Sequence, residues 1–248
     1  MIVIPMAGMS SRFFKAGYNK PKYMLEAHGE TLFEHSVKSF CRYFSALPFL
    51  FIVKDVFDTP EFVSQKAKQL GISEFYIATL TEETRGQAET VTLGLEQLEK
   101  QGHGYTGPIT VFNIDTFRPD FEFPDLASTS NGYLEVFKGS GDNWSFAKPK
   151  SPDSTQVVQT AEKNPISDLC STGLYHFGQK QDYLDIYYQY LAKPQTEWEK
   201  GELYIAPLYN LLIEKGFRVD YHLIERNEVV FCGVPSEYTD FLNQPNKS

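Results

Sequence analysis

Cysteine is scarce in this chain. There are three, Cys41, Cys170 and Cys232, far apart, odd in number and without CxxC spacing. That excludes a disulfide framework and a thiolate zinc site, and it leaves a reduced cytoplasm as the expected location. Basic charge is also short: 23 Lys and Arg face 32 Asp and Glu, for a formal net charge of −9. A nucleic-acid-binding face concentrates positive charge, so that class of partner is excluded. No apolar run approaches the roughly 20 residues of a membrane span. A basic segment leading into a cleavable apolar one is missing as well, because Met1 runs straight into a strand-like stretch, and nothing directs the chain out of the cell. Internal repeats and low-complexity tracts are absent. No oligomeric state can be read from the sequence.

What is present is a hydrophobic content of 42% in 248 residues, enough for the core of one domain with a substrate-binding extension. Short apolar runs alternate with amphipathic segments of helical length through the first half, the pattern of a parallel sheet flanked by helices. Strands are predicted at 2–6, 48–54, 73–79 and 109–114, with helices at 31–44, 60–70 and 86–100. Thr31 followed by Glu34 reads as a capping box, and Gly71 as the end of the second helix. After Asp115 the chain turns Pro-, Gly- and Ser-rich, with strand-like runs at 132–137 and 155–163. This predicts an antiparallel, substrate-binding half, with helices returning at 181–192, 203–215 and 236–242. The polar residues 244–248 are expected to fray.

Three constellations carry chemistry. Ile2-Val3-Ile4-Pro5-Met6 delivers the small-residue turn Ala7-Gly8-Met9-Ser10-Ser11-Arg12, where Gly8 lets the backbone approach a ligand closely. Such a turn presents several N–H groups to one polyanion, while Arg12 and Lys22 add fixed positive charge, so it reads as a triphosphate cradle. Pro21 favours an extended Lys20, which aims Lys22 in one direction. Second, Asn113 and Asp115 share one side of a strand of period two, at the carboxyl end where parallel sheets bind ligands. Asp115 there suits Mg²⁺, which binds through one or two carboxylates plus substrate phosphates. Third, Arg85-Gly86-Gln87-Ala88 opens a helix with an amide that both donates and accepts.

In this order the segments resemble the nucleotidyltransferases that join a nucleoside monophosphate to a sugar phosphate, phosphocholine or a similar phosphorylated compound. That family opens with a strand, a Gly-rich loop ending in Arg, and a Pro-Lys pair, matched here by Ala7 to Phe13 and by Pro21-Lys22, with Ser10 where a second glycine is frequent. The resemblance covers nearly the whole chain. It implies a three-layer α/β/α, Rossmann-like (glycosyltransferase-A-like) fold with a mixed, mainly parallel central sheet. The domain spans 1–248, with a nucleotide-binding half at 1–120 and an acceptor-binding half at 121–248. Arg12, Lys22 and Asp115 are then catalytic, with Asp115 also the metal ligand. Ala7, Gly8, Met9, Ser10, Ser11, Gly86, Gln87, Ala88 and Asn113 become nucleotide contacts. Glu162-Lys163 and Thr172-Gly173 resemble the family's acceptor-binding elements, joined by Trp144 and Glu202; Tyr133, Tyr175 and Tyr204 are candidates for the same pocket. In the family a second metal aspartate follows a Gly-Glu-Leu opening like Gly201-Glu202-Leu203, but Pro207 stands about there. Either Glu202 takes part or Asp115 is the main protein ligand. Gly233-Val234-Pro235 matches the family's ending.

The implied activity is Mg²⁺-dependent transfer of a nucleoside monophosphate from a triphosphate, with CTP favoured, to a phosphorylated small molecule with release of pyrophosphate. Capsule or surface polysaccharide synthesis is the implied setting. Two rivals remain. A glycosyltransferase would normally pair Asp115 with an acid at the position that Asn113 holds, and a nucleotide-binding subunit without turnover would fit the missing second carboxylate.

Overall fold

Strand β1 (Ile2–Pro5) and strand β4 (Phe49–Lys54) are apolar almost throughout because they are covered on both faces. Alternate residues of β4 go to opposite cores: Leu50 and Ile52 pack on one side of the sheet, Phe49, Phe51 and Val53 on the other. In this computed structural model, which describes residues 1–245, the last three positions of the expected polar tail lie outside the described residues.

The first half comprises β1, α1 (Ser11–Lys15), β2 (Glu26–Ala27), β3 (Glu30–Thr31), α2 (Leu32–Val37), β4, α3 (Thr59–Leu70), β5 (Phe75–Leu80), α4 (Gln87–Lys100) and β6 (Ile109–Phe112). The second comprises β7 (Thr116–Phe117), α5 (Leu126–Thr129), β8 (Gly132–Lys138), β9 (Ser145–Pro149), β10 (Val157–Glu162), β11 (Leu169–Phe177), α6 (Lys180–Leu191), α7 (Leu208–Glu214), β12 (Val219–Ile224), β13 (Val230–Phe231) and α8 (Pro235–Leu242). Nine strands share one mixed sheet with the path β10-β9-β11-β6-β1-β4-β5, and β8 and β12 branch from β11. The pairs among β6, β1, β4 and β5 are parallel. Antiparallel pairing begins at β11 on β6 and continues through β8 and β9, while β12 runs parallel to β8. Both halves therefore contribute to one sheet, covered by α4, α6 and α7 on one face and by α2 and α3 on the other.

Local expectations fare differently. Thr31 and Glu34 form the capping box that starts α2, and Gly71 closes α3. The helix expected over 31–44 changes to 3-10 geometry from Lys38 to Tyr43. The one expected from 203 starts at Leu208, because Leu203, Ile205 and Ala206 are buried as irregular chain and Pro207 takes the cap. Strand β6 ends at Phe112, so Asn113 and Asp115 lie on a turn and strand alternation is not what aims them.

Candidate active site

Two cavities open at the carboxyl ends of the parallel strands. One, of about 470 Å³, lies between the turn after β1 and the start of α4. The other, of about 920 Å³, extends over β9, β10 and β11. Ser10, Lys22, Gln87, Asn113 and Asp115 line both and so form the seam between them.

The five seam residues come from four places: the turn after β1, the Pro21-Lys22 segment, the start of α4 and the turn after β6. Ser10 precedes α1 with a left-handed backbone, φ 49°, and its hydroxyl accepts from the Lys22 amide at 3.1 Å. That bond ties the turn after β1 to the Pro21-Lys22 segment. Pro21 is in polyproline geometry and Lys22 begins a 3-10 turn, which aims its ammonium across the seam. Lys22 Nζ meets Asp115 Oδ2 at 2.5 Å, with both side chains only about a fifth exposed at 21% and 23%. Gln87 Nε2 donates to Asn113 Oδ1 at 2.5 Å, which leaves the Gln87 carbonyl as an acceptor for a ligand. No protein acceptor takes the backbone N–H of Gly8, Met9 or Ser10 among the described residues, and the space a Cβ on Gly8 would enter is open. The loop is therefore shaped to receive an acceptor-rich ligand.

The larger cavity is built on strands. Glu162, the last residue of β10, sits opposite Ser145 in β9, and its carboxylate accepts from the Ser145 hydroxyl. Burial pushes the Glu162 carboxyl up; the serine bond and Lys163 oppose this, and the carboxylates of Glu199 and Glu202 add to it. Lys163 has a left-handed backbone, φ 51°, and its ammonium reaches the Tyr204 hydroxyl at 2.5 Å. Burial works against the Lys163 charge, but the Tyr204 hydroxyl and the nearby carboxylates outweigh it and raise its pKa. Thr172 and Gly173 occupy an irregularity in β11 between Ser171 and Tyr175 and form part of the cavity wall.

Most residues singled out from the sequence converge here, with exceptions. Ala7, Gly8, Met9 and Gly86 line the smaller cavity; Ser11, Arg12, Trp144, Glu162, Lys163, Thr172 and Gly173 line the larger. Arg12 is exposed and stands with the larger cavity, on the other side of the seam from the expected triphosphate turn. Ala88, the second residue of α4, is buried and lines neither cavity; its amide donates to the Leu203 carbonyl and its own carbonyl accepts from the Tyr183 hydroxyl. Tyr133 is fully buried against His176, away from both cavities, whereas Tyr175 and Tyr204 line the larger one. Glu202 is exposed and lines neither cavity, and Pro207 is buried at the start of α7.

The structure adds residues that the sequence reading passed over. Lys54, Glu82 and Glu83 line the smaller cavity, and Glu237 the larger. Lys54 ends a parallel strand, which is a readable signal. Glu237 is the third residue of α8, where its Oε2 accepts from the amides of Gly233 and Val234 at 2.8 and 3.2 Å. A Cβ on Gly233 would lie 3.0 Å from Asp115 Oδ2 and 3.6 Å from Glu237 Oε2, so these two carboxylates are neighbours across Gly233.

The donor set fits Mg²⁺ in one particular way. No group of three His, Cys, Asp or Glu able to cage a metal exists among the described residues. A single hard carboxylate at the seam, Asp115, matches an ion that keeps most of its ligands from water and phosphate. Asp115 is the residue that would hold it.

Comparisons agree with this architecture. The chain is 73% identical to a nucleoside-diphosphate-sugar pyrophosphorylase from Vibrio cholerae RC9, over 98% of this chain and 100% of that one, with a TM-score of 0.97. An inositol-1-phosphate CTP transferase from T. maritima shares the fold at 14% identity, 97% and 93% coverage and a TM-score of 0.69. A UDP-glucose pyrophosphorylase solved with UDP-glucose does so at 12% identity, 98% and 96% coverage and a TM-score of 0.72. No protein-family model matches the chain, and no curated protein does. Among the described residues no helix is long and apolar enough to cross a membrane. With two cavities meeting at one carboxylate–ammonium seam and near-complete coverage at 73% identity, the chain belongs to the nucleoside-diphosphate-sugar pyrophosphorylases, a family of nucleotidyltransferases.

Proposed function

We propose that the enzyme transfers a nucleoside monophosphate, from CTP by preference, to the phosphate of a small molecule and releases pyrophosphate. The acceptor's phosphate oxygen attacks the α-phosphorus; a new P–O bond forms as the bond between the α-phosphorus and its bridging oxygen breaks, and the electron pair leaves on pyrophosphate. The observation that carries this reading is the seam. Two cavities, one for each substrate, share the Lys22–Asp115 pair at 2.5 Å.

The protein is asked for little covalent chemistry, so its work is positioning and charge stabilisation. The amides of Gly8, Met9 and Ser10 receive the phosphate tail, and Lys22 neutralises charge at the α-phosphate. Gly86 and Gln87 contact the nucleobase, with Asn113 fixing the Gln87 amide. Arg12, on the larger cavity, faces phosphate from the acceptor side. Lys163 binds the acceptor's phosphate, and Thr172 and Gly173 shape that pocket. Asp115 would hold Mg²⁺, which when bound would supply Lewis-acid neutralisation of phosphoryl oxygens. The division at residue 120 follows as a division of labour within one domain: residues 1–120 hold nucleotide, apart from Arg12 on the larger cavity, and 121–248 hold acceptor. Synthesis of activated units for capsule or surface polysaccharide, in the cytoplasm, is the setting this activity suits.

The test is pyrophosphate release from a panel of triphosphates against phosphorylated acceptors, with and without Mg²⁺. Release that needs triphosphate, acceptor and Mg²⁺ together, fastest with CTP, is expected. Binding of nucleotide with no release from any pair overturns the reading.

A further inference from the structure

Ser10 joins the two parts of the smaller cavity that face phosphate, the turn after β1 and the Lys22 segment. Its hydroxyl accepts from the Lys22 amide at 3.1 Å, and its carbonyl accepts from the Phe14 amide at 3.2 Å. From Ser10 two arms run outward and meet again on the loop between β4 and α3. Along one arm the hydroxyl of Tyr23, next to Lys22, meets Thr59 Oγ1 at 2.9 Å, and the Thr59 hydroxyl donates to the Val56 carbonyl at 2.5 Å. Along the other the Phe14 ring stacks on Phe57, with centroids 5.6 Å apart and planes 19° from parallel. Ser10, Phe14, Phe57, Thr59, Tyr23 and Lys22 thus close a circuit beside the cavity.

The two arms differ in kind. Tyr23 and Thr59 are 2% and 0% exposed, whereas Phe57 is 53% exposed. The exposed arm is also strained, because Phe57 and Asp58 both have φ 53°. Aspartate tolerates the left-handed region, but a bulky aromatic there is an outlier that needs a compensating contact. An exposed ring gains little from burial, so the stack on Phe14 is what this backbone conformation secures. At the far end of the circuit Ser10 is left-handed too, with φ 49°. Residues persist in that region where their surroundings over-determine them, and here one circuit constrains both.

We infer that Phe57 is a positioning residue for the nucleotide: through Phe14 it holds the Ser10 end of the phosphate-facing turn, so that the amides of Gly8, Met9 and Ser10 stay aimed at one polyanion. Phe57 and Phe14 line neither cavity, so neither acts by touching substrate. The buried Tyr23–Thr59 arm fixes Lys22 opposite, and the Phe14–Phe57 arm sets the turn against it. This rests on the reading of the smaller cavity as the nucleotide site.

The test reads triphosphate and acceptor separately. Binding of CTP, UTP, dTTP, ATP and GTP to the full-length protein is measured by titration calorimetry. Pyrophosphate release with phosphocholine, glucose 1-phosphate or glucosamine 1-phosphate then gives kcat and both Michaelis constants for the triphosphate bound tightest. Phe57→Gly removes the ring and suits the left-handed backbone, so thermal unfolding should hardly move. Its Kd and KM for triphosphate should rise about 10-fold while the acceptor KM stays as in the wild type. Phe14→Ala should weaken triphosphate binding by a similar factor, and the double variant by no more than either alone. Phe57→Tyr, which keeps the stack, should restore tight binding. A wild-type triphosphate Kd in Phe57→Gly, equal rises in both Michaelis constants, additive losses in the double variant, or weak binding by Phe57→Tyr overturns the inference. A wild type that binds no triphosphate overturns it together with the transfer reading. Weakened binding by Phe57→Gly in a protein that releases no pyrophosphate leaves this inference standing while the transfer reading falls. Release with unchanged triphosphate affinity in Phe57→Gly does the reverse.

Discussion

Gly173 and Asn113 are packed so closely that a Cβ on Gly173 would lie 2.2 Å from Asn113 Nδ2, and Gly173 also has a left-handed φ of 90°. Asn113 in turn receives the Gln87 amide, so a residue of strand β11 sets the geometry of one at the start of α4. Gly173→Ala is therefore expected to push Asn113 off Gln87 and to cost about 1–3 kcal/mol through overpacking. The Michaelis constant for triphosphate should rise as well. Urea unfolding and steady-state kinetics check both, and an unchanged nucleotide KM would refute the coupling.

Asp115 and Lys22 neutralise each other at the seam, 93 positions apart in the chain. Asp115→Ala and Lys22→Ala should each lower turnover by about 10²-fold or more, the scale of losing one charge-stabilising contact. Because both side chains reach solvent, thermal unfolding should shift little. Excess EDTA should stop wild-type turnover and added Mg²⁺ restore it. Near-normal pyrophosphate release by either variant would remove the seam from the mechanism.

Behind Thr172 in the wall of the larger cavity lies a buried ion pair. Arg118 Nε donates to Glu135 Oε1 at 2.8 Å, with the two residues 5% and 0% exposed. The Thr172 hydroxyl donates to the same Glu135 oxygen at 3.1 Å. Glu135→Leu leaves the buried Arg118 with only the Glu228 carboxylate, 3.9 Å away and half exposed, and is expected to destabilise by about 3 kcal/mol. The double variant Arg118→Met/Glu135→Leu removes both charges and should recover most of that loss. Denaturant titrations of the single and double variants decide; a single variant as stable as the wild type contradicts the account.

His176 supplies a pH dependence. It is 3% exposed, bonds Thr110 at 2.9 Å through Nδ1, and has no partner for Nε2 among the described residues. Burial pushes its pKa down from 6.5 to about 4. Between those values the unfolded chain takes up a proton that the folded protein refuses, so stability falls as pH drops through the window and levels off below about pH 4. At 1.36 kcal/mol per pH unit the loss is on the order of 3 kcal/mol. His176→Gln should remove that part of the slope, seen as a smaller difference in stability between pH 7 and pH 4 than in the wild type. Parallel curves for the two proteins would show that His176 titrates alike in both states.

Much of the scaffold was legible because it follows from local rules. The Thr31–Glu34 capping box, the Gly71 helix end and the apolar strand β4 need only neighbouring residues and side-chain period. Strand β11 shows where such rules fail. All nine of its residues are buried, so the alternation that marks a half-exposed strand is missing, and the motif Ser171–Tyr175 did not read as part of a strand. Asp115 was singled out on an incorrect premise, since the turn after Phe112 aims it into the seam and strand alternation does not.

The sequence by itself determined the parts and their order: a strand feeding a small-residue turn, a Pro-Lys unit, an acid after the fourth long strand, and a Glu-Lys pair. Those are properties of short stretches, governed by backbone preference and side-chain chemistry over a few residues. Only the tertiary structure decided that Lys22 meets Asp115, that Arg12 stands on the larger cavity, that Ala88 is core and that Glu162 has no ion-pair partner among the described residues. The physical reason is that an ion pair, or the want of one, depends on which strands lie side by side in the sheet, and strand order is set by packing across the whole chain.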